Sequence, residues 1–203
     1  MANPVSIPDK TSTPEASRQH QGLFRNHAPV QREGVRKMLR IMWNMIFHKP
    51  RNTRPAAPIP VQALNREALL AAPNHSVYRL GHSTVLLKLR DKFWITDPVF
   101  AERASPVQWA GPKRHTPPGL SLAQLPRIDV VLLSHNHYDH MDEHSLVTLA
   151  AQRGGPPVFI TPLGHKHWFA RRGIHHVVEL DWWDTHVLEA TARHHRIPVT
   201  LTP

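Results

Sequence analysis

The apolar run Val130-Val131-Leu132-Leu133 ends at Ser134 and is followed at once by His135-Asn136-His137-Tyr138-Asp139-His140. A short segment that is apolar at every position suits a strand buried on both faces, as in the interior of a layered sheet. The polar loop then leaves from the end of that strand. In extended backbone, residues two apart project to the same side, so His135 and His137 can offer their imidazoles to one ion. A turn after them lets Asp139 and His140 face a neighbouring ion, and two adjacent ions can clamp the attacking and leaving oxygens of a displacement. With 17 His and 8 Asp among 203 residues, the pattern His-x-His-x-Asp-His arises by chance about 0.005 times in a chain of this length, before any requirement for a preceding strand.

The surrounding chain reads as strands mixed with helices. Strands are expected over 77–80, 84–89, 93–96, 130–134, 158–161, 177–180, 187–191 and 199–202, bounded by Gly, Pro and polar clusters. A helix over 143–152 would have Asp142 at its N-cap and Gly154 beyond its end, and a second over 165–172 would stop at Gly173. Such mixing indicates an α/β layered domain, assigned to 61–203.

Three segments precede it. Residues 1–34 are expected to be a disordered polar tail, without the charged and apolar regions of a secretory signal. Over 35–49 a basic amphipathic helix is expected: Val35, Met38, Leu39, Ile41, Met42, Trp43, Met45 and Ile46 share a broad face opposite Arg36, Lys37, Arg40, Asn44 and His48. The 13 residues 35–47 that carry the pattern reach only about 20 Å, too short for a hydrocarbon layer of about 30 Å. Three uses remain open for its apolar face: packing on its own domain, peripheral contact with a membrane, or docking of a partner. Pro50, Pro55, Pro58 and Pro60 make 50–60 a stiff linker.

Cysteine is absent, which excludes disulfides, thiolate ligands and a cysteine nucleophile; any transition metal must be held by imidazole and carboxylate. A cytoplasmic location, peripheral to the membrane, is compatible with this. The net charge of +10 attracts anions generally, but no zinc finger, aromatic RNA-binding signature or helix-turn-helix points to specific nucleic-acid recognition.

Several further segments accompany the His loop: Gly81-His82-Ser83-Thr84, Thr96-Asp97-Pro98-Val99-Phe100, Ser105-Pro106, Gly111-Pro112-Lys113-Arg114, Leu125-Pro126 and Leu180-Asp181-Trp182-Trp183. With them the chain resembles the metallo-β-lactamase superfamily, and within it the branch of N-acyl-phosphatidylethanolamine-hydrolysing phospholipase D. The resemblance implies an αββα sandwich, with His135 and His137 on a first zinc and Asp139 and His140 on a second. It also implies a metal-bound hydroxide as nucleophile, oriented by Asp139 as the catalytic carboxylate. Asp97 suits a carboxylate supporting a ligand imidazole, or equally a turn cap. His82 can approach the site or serve as a structural hydrogen-bond partner. Trp182 and Trp183 suit the core or the wall of a groove, the core first. The other histidines, among them His165, His167, His175, His176, His194 and His195, show no ligand spacing, and most are expected in solvent.

Members of the family contribute three further ligands downstream, whereas this sequence ends at Thr202-Pro203. The expectation is therefore the N-terminal half of the sandwich, with fewer than the two zinc ions of a complete member and a bare apolar sheet face. The missing C-terminal half is expected as a partner. The function expected is a binuclear-zinc hydrolase, phosphodiesterase or phospholipase D-like, acting on a lipid or phosphorylated small molecule. The alternatives are a sugar-phosphate lactonase of the same superfamily, or an inactive truncated remnant serving as an interaction module.

Overall fold

The computed structural model describes residues 34–48, 55–188 and 196–202, together with two short paired strands, β1 (Gln19–His20) and β2 (Leu23–Phe24). Most of the tail over 1–34, Pro50 of the linker, 189–191 of one expected strand, and His194 and His195 lie outside the described residues.

Six strands form one mixed sheet in sequential order: β3 (Ser76–Arg79), β4 (Val85–Leu89), β5 (Lys92–Thr96), β6 (Val130–Leu132), β7 (Val158–Pro162) and β8 (Val177–Leu180). The first three pair antiparallel and β5 to β8 pair parallel. This is the α/β class expected from the alternation of strands and helices. The register sets a row of apolar residues straight across the sheet: Leu86, Ile95, Val131, Phe159 and Val177. Because side chains alternate along a strand, all five point to one face.

That face is covered by helices. Leu69 of α2 (Arg66–Ala71), Leu146 and Leu149 of α3 (Glu143–Ala150) and Phe169 of α4 (Lys166–Ala170) join the row in one buried cluster. Phe159 and Phe169 meet with ring centroids 5.1 Å apart. The opposite row, Leu87, Trp94, Val130 and Val158, faces a hairpin of β9 (Thr185–Leu188) and β10 (Ile197–Thr200). Leu188 of the hairpin is buried with Trp94, Val130, Ile160 and Leu180. The second face, expected to be bare, is thus partly covered, while Leu87, Leu89, Leu132, Val158 and Val178 stay partly accessible.

Helix α1 (Val35–Phe47) forms where the amphipathic pattern places it. Its described side chains are all exposed, so it does not bury its apolar face on the domain. No helix among the described residues is long and apolar enough to cross a membrane.

Candidate metal centre

Parallel pairing of β5 and β6 brings their C-terminal ends side by side, and with them the two segments that carry the chemistry. Asp97 comes directly after β5, its N–H donating 2.9 Å to the Leu132 carbonyl. Its φ of +36° falls in the left-handed region, which a short carboxylate side chain tolerates better than most. The turn aims a carboxylate that is only 6% exposed at the start of the His loop. Thr84, itself buried, holds the bend by donating its hydroxyl 2.7 Å to the Asp97 carbonyl.

The Asp97 carboxylate organises the first turn of the loop. Oδ1 accepts from the Ser134 N–H at 2.8 Å, and Oδ2 accepts from the Ser134 hydroxyl at 2.8 Å. Oδ2 also lies 2.9 Å from His140 Nδ1. Ser134 Oγ is in turn 2.9 Å from His135 Nδ1. One proton assignment satisfies all these contacts. Ser134 spends its proton on Asp97 and so accepts from His135 Nδ1–H, while His140 Nδ1–H donates to the carboxylate. Both rings are then fixed as the tautomer whose free lone pair sits on Nε2, the form a metal ligand needs.

His135 Nε2 stands 3.0 Å from His137 Nδ1. The loop turns immediately afterwards, as the His137 carbonyl accepts from the N–H groups of His140 at 3.0 Å and Met141 at 2.7 Å. That turn brings Asp139 back, with Oδ2 3.7 Å from His140 Nε2 and 3.1 Å from His82 Nε2. Ser83 steadies the return by donating its hydroxyl 3.0 Å to the Asp139 carbonyl. The ring centroids of His135 and His140 are 4.0 Å apart, so the two pairs of donors are adjacent. His82, Asp139 and His140 offer ligand atoms that all lie within 4.8 Å of one another. His82 therefore stands against the Asp139 carboxylate itself.

The electrostatics favour the binding form of two of these donors, His135 and Asp139. Burial, and then the neighbouring His140 and His137, hold His135 below the ordinary imidazole value, so it is neutral at neutral pH. For Asp139, burial works to raise the value, but a hydrogen bond from its own backbone N–H and the nearby His140 and His82 bring it below the usual carboxylate range.

The residues fit a divalent ion. Two donors on one tetrahedral zinc, each about 2.0–2.1 Å from it, stand roughly 3.3 Å apart. The facing nitrogens of His135 and His137 are at 3.0 Å, and the Asp139 and His140 donors at 3.7 Å. Imidazole nitrogen and carboxylate oxygen suit zinc and equally iron.

A cleft of about 1070 Å³ opens beside the centre and reaches His137, Tyr138 and Asp139. Ile59, Val61 and Val77 line it together with Lys113, Arg114 and His115. The basic residues come from a loop closed by the Arg103–Lys113 bridge and by Arg114 N–H donating to the Glu102 carbonyl. Gly111 lets that loop close: its φ is +103°, and a Cβ there would meet Ser105 Cβ at 2.6 Å.

Two participants escaped the sequence reading. Ser134 looked only like the end of a strand, yet its hydroxyl links Asp97 to His135; its position between the apolar run and the first His was the one signal of this role. His165, expected in solvent, is half-buried with Nδ1 2.6 Å from Thr161 Oγ1. Burial chiefly holds it below the ordinary imidazole value, with His135 adding to the effect and Glu179 opposing it. Trp182 and Trp183 are half-buried in the turn before β9 and belong to neither core cluster.

Residues 94–203 match the family model of the beta-lactamase superfamily domain. An uncharacterized protein of Mycobacterium tuberculosis is 39% identical over 154 residues, covering 70% of this chain and 38% of that protein. The N-acyl-phosphatidylethanolamine-hydrolyzing phospholipase D 1 of Caenorhabditis elegans is 40% identical over 111 residues, covering 52% of this chain and 31% of the nematode protein. The matched part of this chain thus spans about a third of the length of these relatives. Among solved structures, CmlA, a diiron beta-hydroxylase from Streptomyces venezuelae, is 26% identical over 65% of this chain and 24% of its own, with a TM-score of 0.45, a likeness too distant to bear on the chemistry.

Proposed function

Since this chain belongs to the beta-lactamase superfamily, whose domain it carries over residues 94–203, we propose that it is a metal-dependent hydrolase of the phosphodiesterase or phospholipase D type. The observation that carries this reading is the convergence of His135 Nε2 on His137 Nδ1 at 3.0 Å, beside Asp139 and His140. His135 and His137 would hold one zinc ion, and Asp139 with His140 a second, iron being the competing metal that elemental analysis separates. Bound there, divalent ions would supply an acidified water as nucleophile and a Lewis acid for a phosphoryl oxygen.

The chain's own residues do the rest. Asp97 and Ser134, within hydrogen-bond reach of the Nδ1 atoms of His140 and His135, would hold the directions of both rings and leave Nε2 of each to face an ion. Asp139, ionised and within reach of His82, is placed to orient a water and to hold its proton at Oδ2.

The cleft suggests the substrate class. Lys113, Arg114 and His115 give it a cationic side that favours an anionic group, although Lys113 is partly committed to Glu102 at 2.6 Å. Ile59, Val61 and Val77 give it an apolar side. An anionic amphiphile such as a phospholipid uses both sides, whereas a sugar phosphate would leave the apolar one idle. The nematode relative's name, which specifies hydrolysis of an N-acylated phosphatidylethanolamine, agrees with that choice.

The test is hydrolysis of an N-acyl-phosphatidylethanolamine and of a chromogenic phosphodiester after loading with zinc or iron. Turnover that disappears in both His137→Ala and Asp139→Ala supports the proposal. Turnover that persists in those variants places the reaction elsewhere. A chain that takes up metal without any turnover fits the interaction-module alternative.

A further inference from the structure

Helix α1 is the part of the described chain that the metal centre does not use. Its large apolar side chains are exposed to between 44% (Ile41) and 76% (Val35), with Met38, Leu39, Met42, Trp43, Met45 and Phe47 in between. Apart from Phe47, these residues fall within an arc of about 200° at 100° per residue. Arg36, Lys37 and Arg40 occupy the other side, and the helix contains no acidic residue. In the sequence beyond it come Lys49, Arg51 and Arg54.

An apolar stripe of this extent in water is costly, so something covers it. The domain does not, as every described side chain of the helix is exposed. A second copy is disfavoured by charge: each chain carries +10, and two helices face to face would gather six basic side chains with no acidic one on either helix. An anionic lipid surface suits both faces. The apolar stripe sinks to the acyl boundary while Arg36, Lys37 and Arg40 reach lipid phosphates. Trp43, on the apolar stripe, supplies an amphipathic ring of the kind that favours the headgroup level. Thirteen residues are too few to span, so the helix lies in the surface.

We propose that α1 seats this chain on an anionic lipid surface. This rests on the helix alone and stands or falls separately from the hydrolase reading. The experiment is flotation of the full chain with vesicles of phosphatidylcholine alone and with vesicles of phosphatidylcholine and phosphatidylglycerol in equal parts. The chain is expected to float with the anionic vesicles and to be released by salt. Arg36→Gln with Arg40→Gln should weaken binding about 30-fold, taking roughly a five-fold loss per basic residue. Leu39→Asp with Met42→Asp should abolish binding without lowering the thermal midpoint, because neither side chain is buried. Failure of the wild type to float with anionic vesicles would overturn the proposal, as would undiminished binding by the Leu39/Met42 variant. A concentration-dependent dimer that this variant dissolves, without vesicle binding by the wild type, would assign the face to a second copy and also overturn it.

Discussion

Asp97 is the residue on which the geometry of the centre turns. It accepts from the Ser134 N–H, the Ser134 hydroxyl and His140 Nδ1, so it acts on the candidate ligands without being one of them. Carboxylates that support ligand imidazoles typically contribute 10- to 100-fold in metal affinity. Asp97→Ala should therefore weaken zinc binding by about that factor in chelator competition, with Ser134→Ala losing less because His140 keeps its partner. Unchanged affinity in Asp97→Ala would make this a fold residue only. A pH effect arises from His135 and His165, both held below the ordinary value of 6.5, chiefly by burial. A histidine with a lowered folded value contributes stability that is complete above 6.5. It is lost as pH falls, because the unfolded chain takes up protons that the folded one refuses. The thermal midpoint of the metal-free chain should thus drop between neutral and mildly acidic pH, and His165→Gln should flatten that drop. Metal uptake should weaken over the same window, since ligand histidines must be neutral.

At the scale of elements, the central strands carry the fold. Phe159 is fully buried in the row that runs from β4 to β8 and packs on Phe169. Phe159→Ala should cost about 3–5 kcal/mol in urea unfolding. A cost near zero would mean that α4 does not hold the helical layer to the sheet. Strands β5 to β7 were legible because each carries a short apolar run, 93–95, 130–132 and 158–160, that suits the interior of a sheet. Pairing in β6 stops at Leu132, short of the expected Ser134, since the Ser134 N–H goes to Asp97 instead of a neighbouring strand. Asp142 does sit before α3, yet it makes no side-chain cap. Its carboxylate accepts from the N–H groups of Phe100 and Ala101, a long-range use that no local pattern announces. Helix α2 went unread because six residues are too few to show a period; Asn65 Oδ1 accepting from Ala68 N–H is the local signal that marks its start. The apolar side of α1 was legible as a pattern, but its exposure depends on what surrounds it, which sequence does not encode.

Among the described residues, a helical layer closes one side of the sheet and the hairpin of β9 and β10 partly closes the other, leaving the His loop at the open ends of the parallel strands. The four loop residues were readable as a group because their spacing alone sets them together, and the fold does bring His135 beside His137 and Asp139 beside His140. Ser134 and His165 were not, because their roles come from neighbours brought together only by folding. Placed beside a cleft that is cationic on one side and apolar on the other, the loop makes the chain a candidate for phosphoester hydrolysis near a lipid surface. Everything chemical in this picture requires that His135 and His137 hold a divalent ion. Equilibrium dialysis of the full chain against zinc and against iron, with elemental analysis of wild type and of His135→Ala with His137→Ala, addresses that directly. Wild type should retain at least one tightly held ion per chain and the double variant should lose it. A wild-type chain that takes up neither metal, or a double variant that binds as many ions as wild type, would contradict the account.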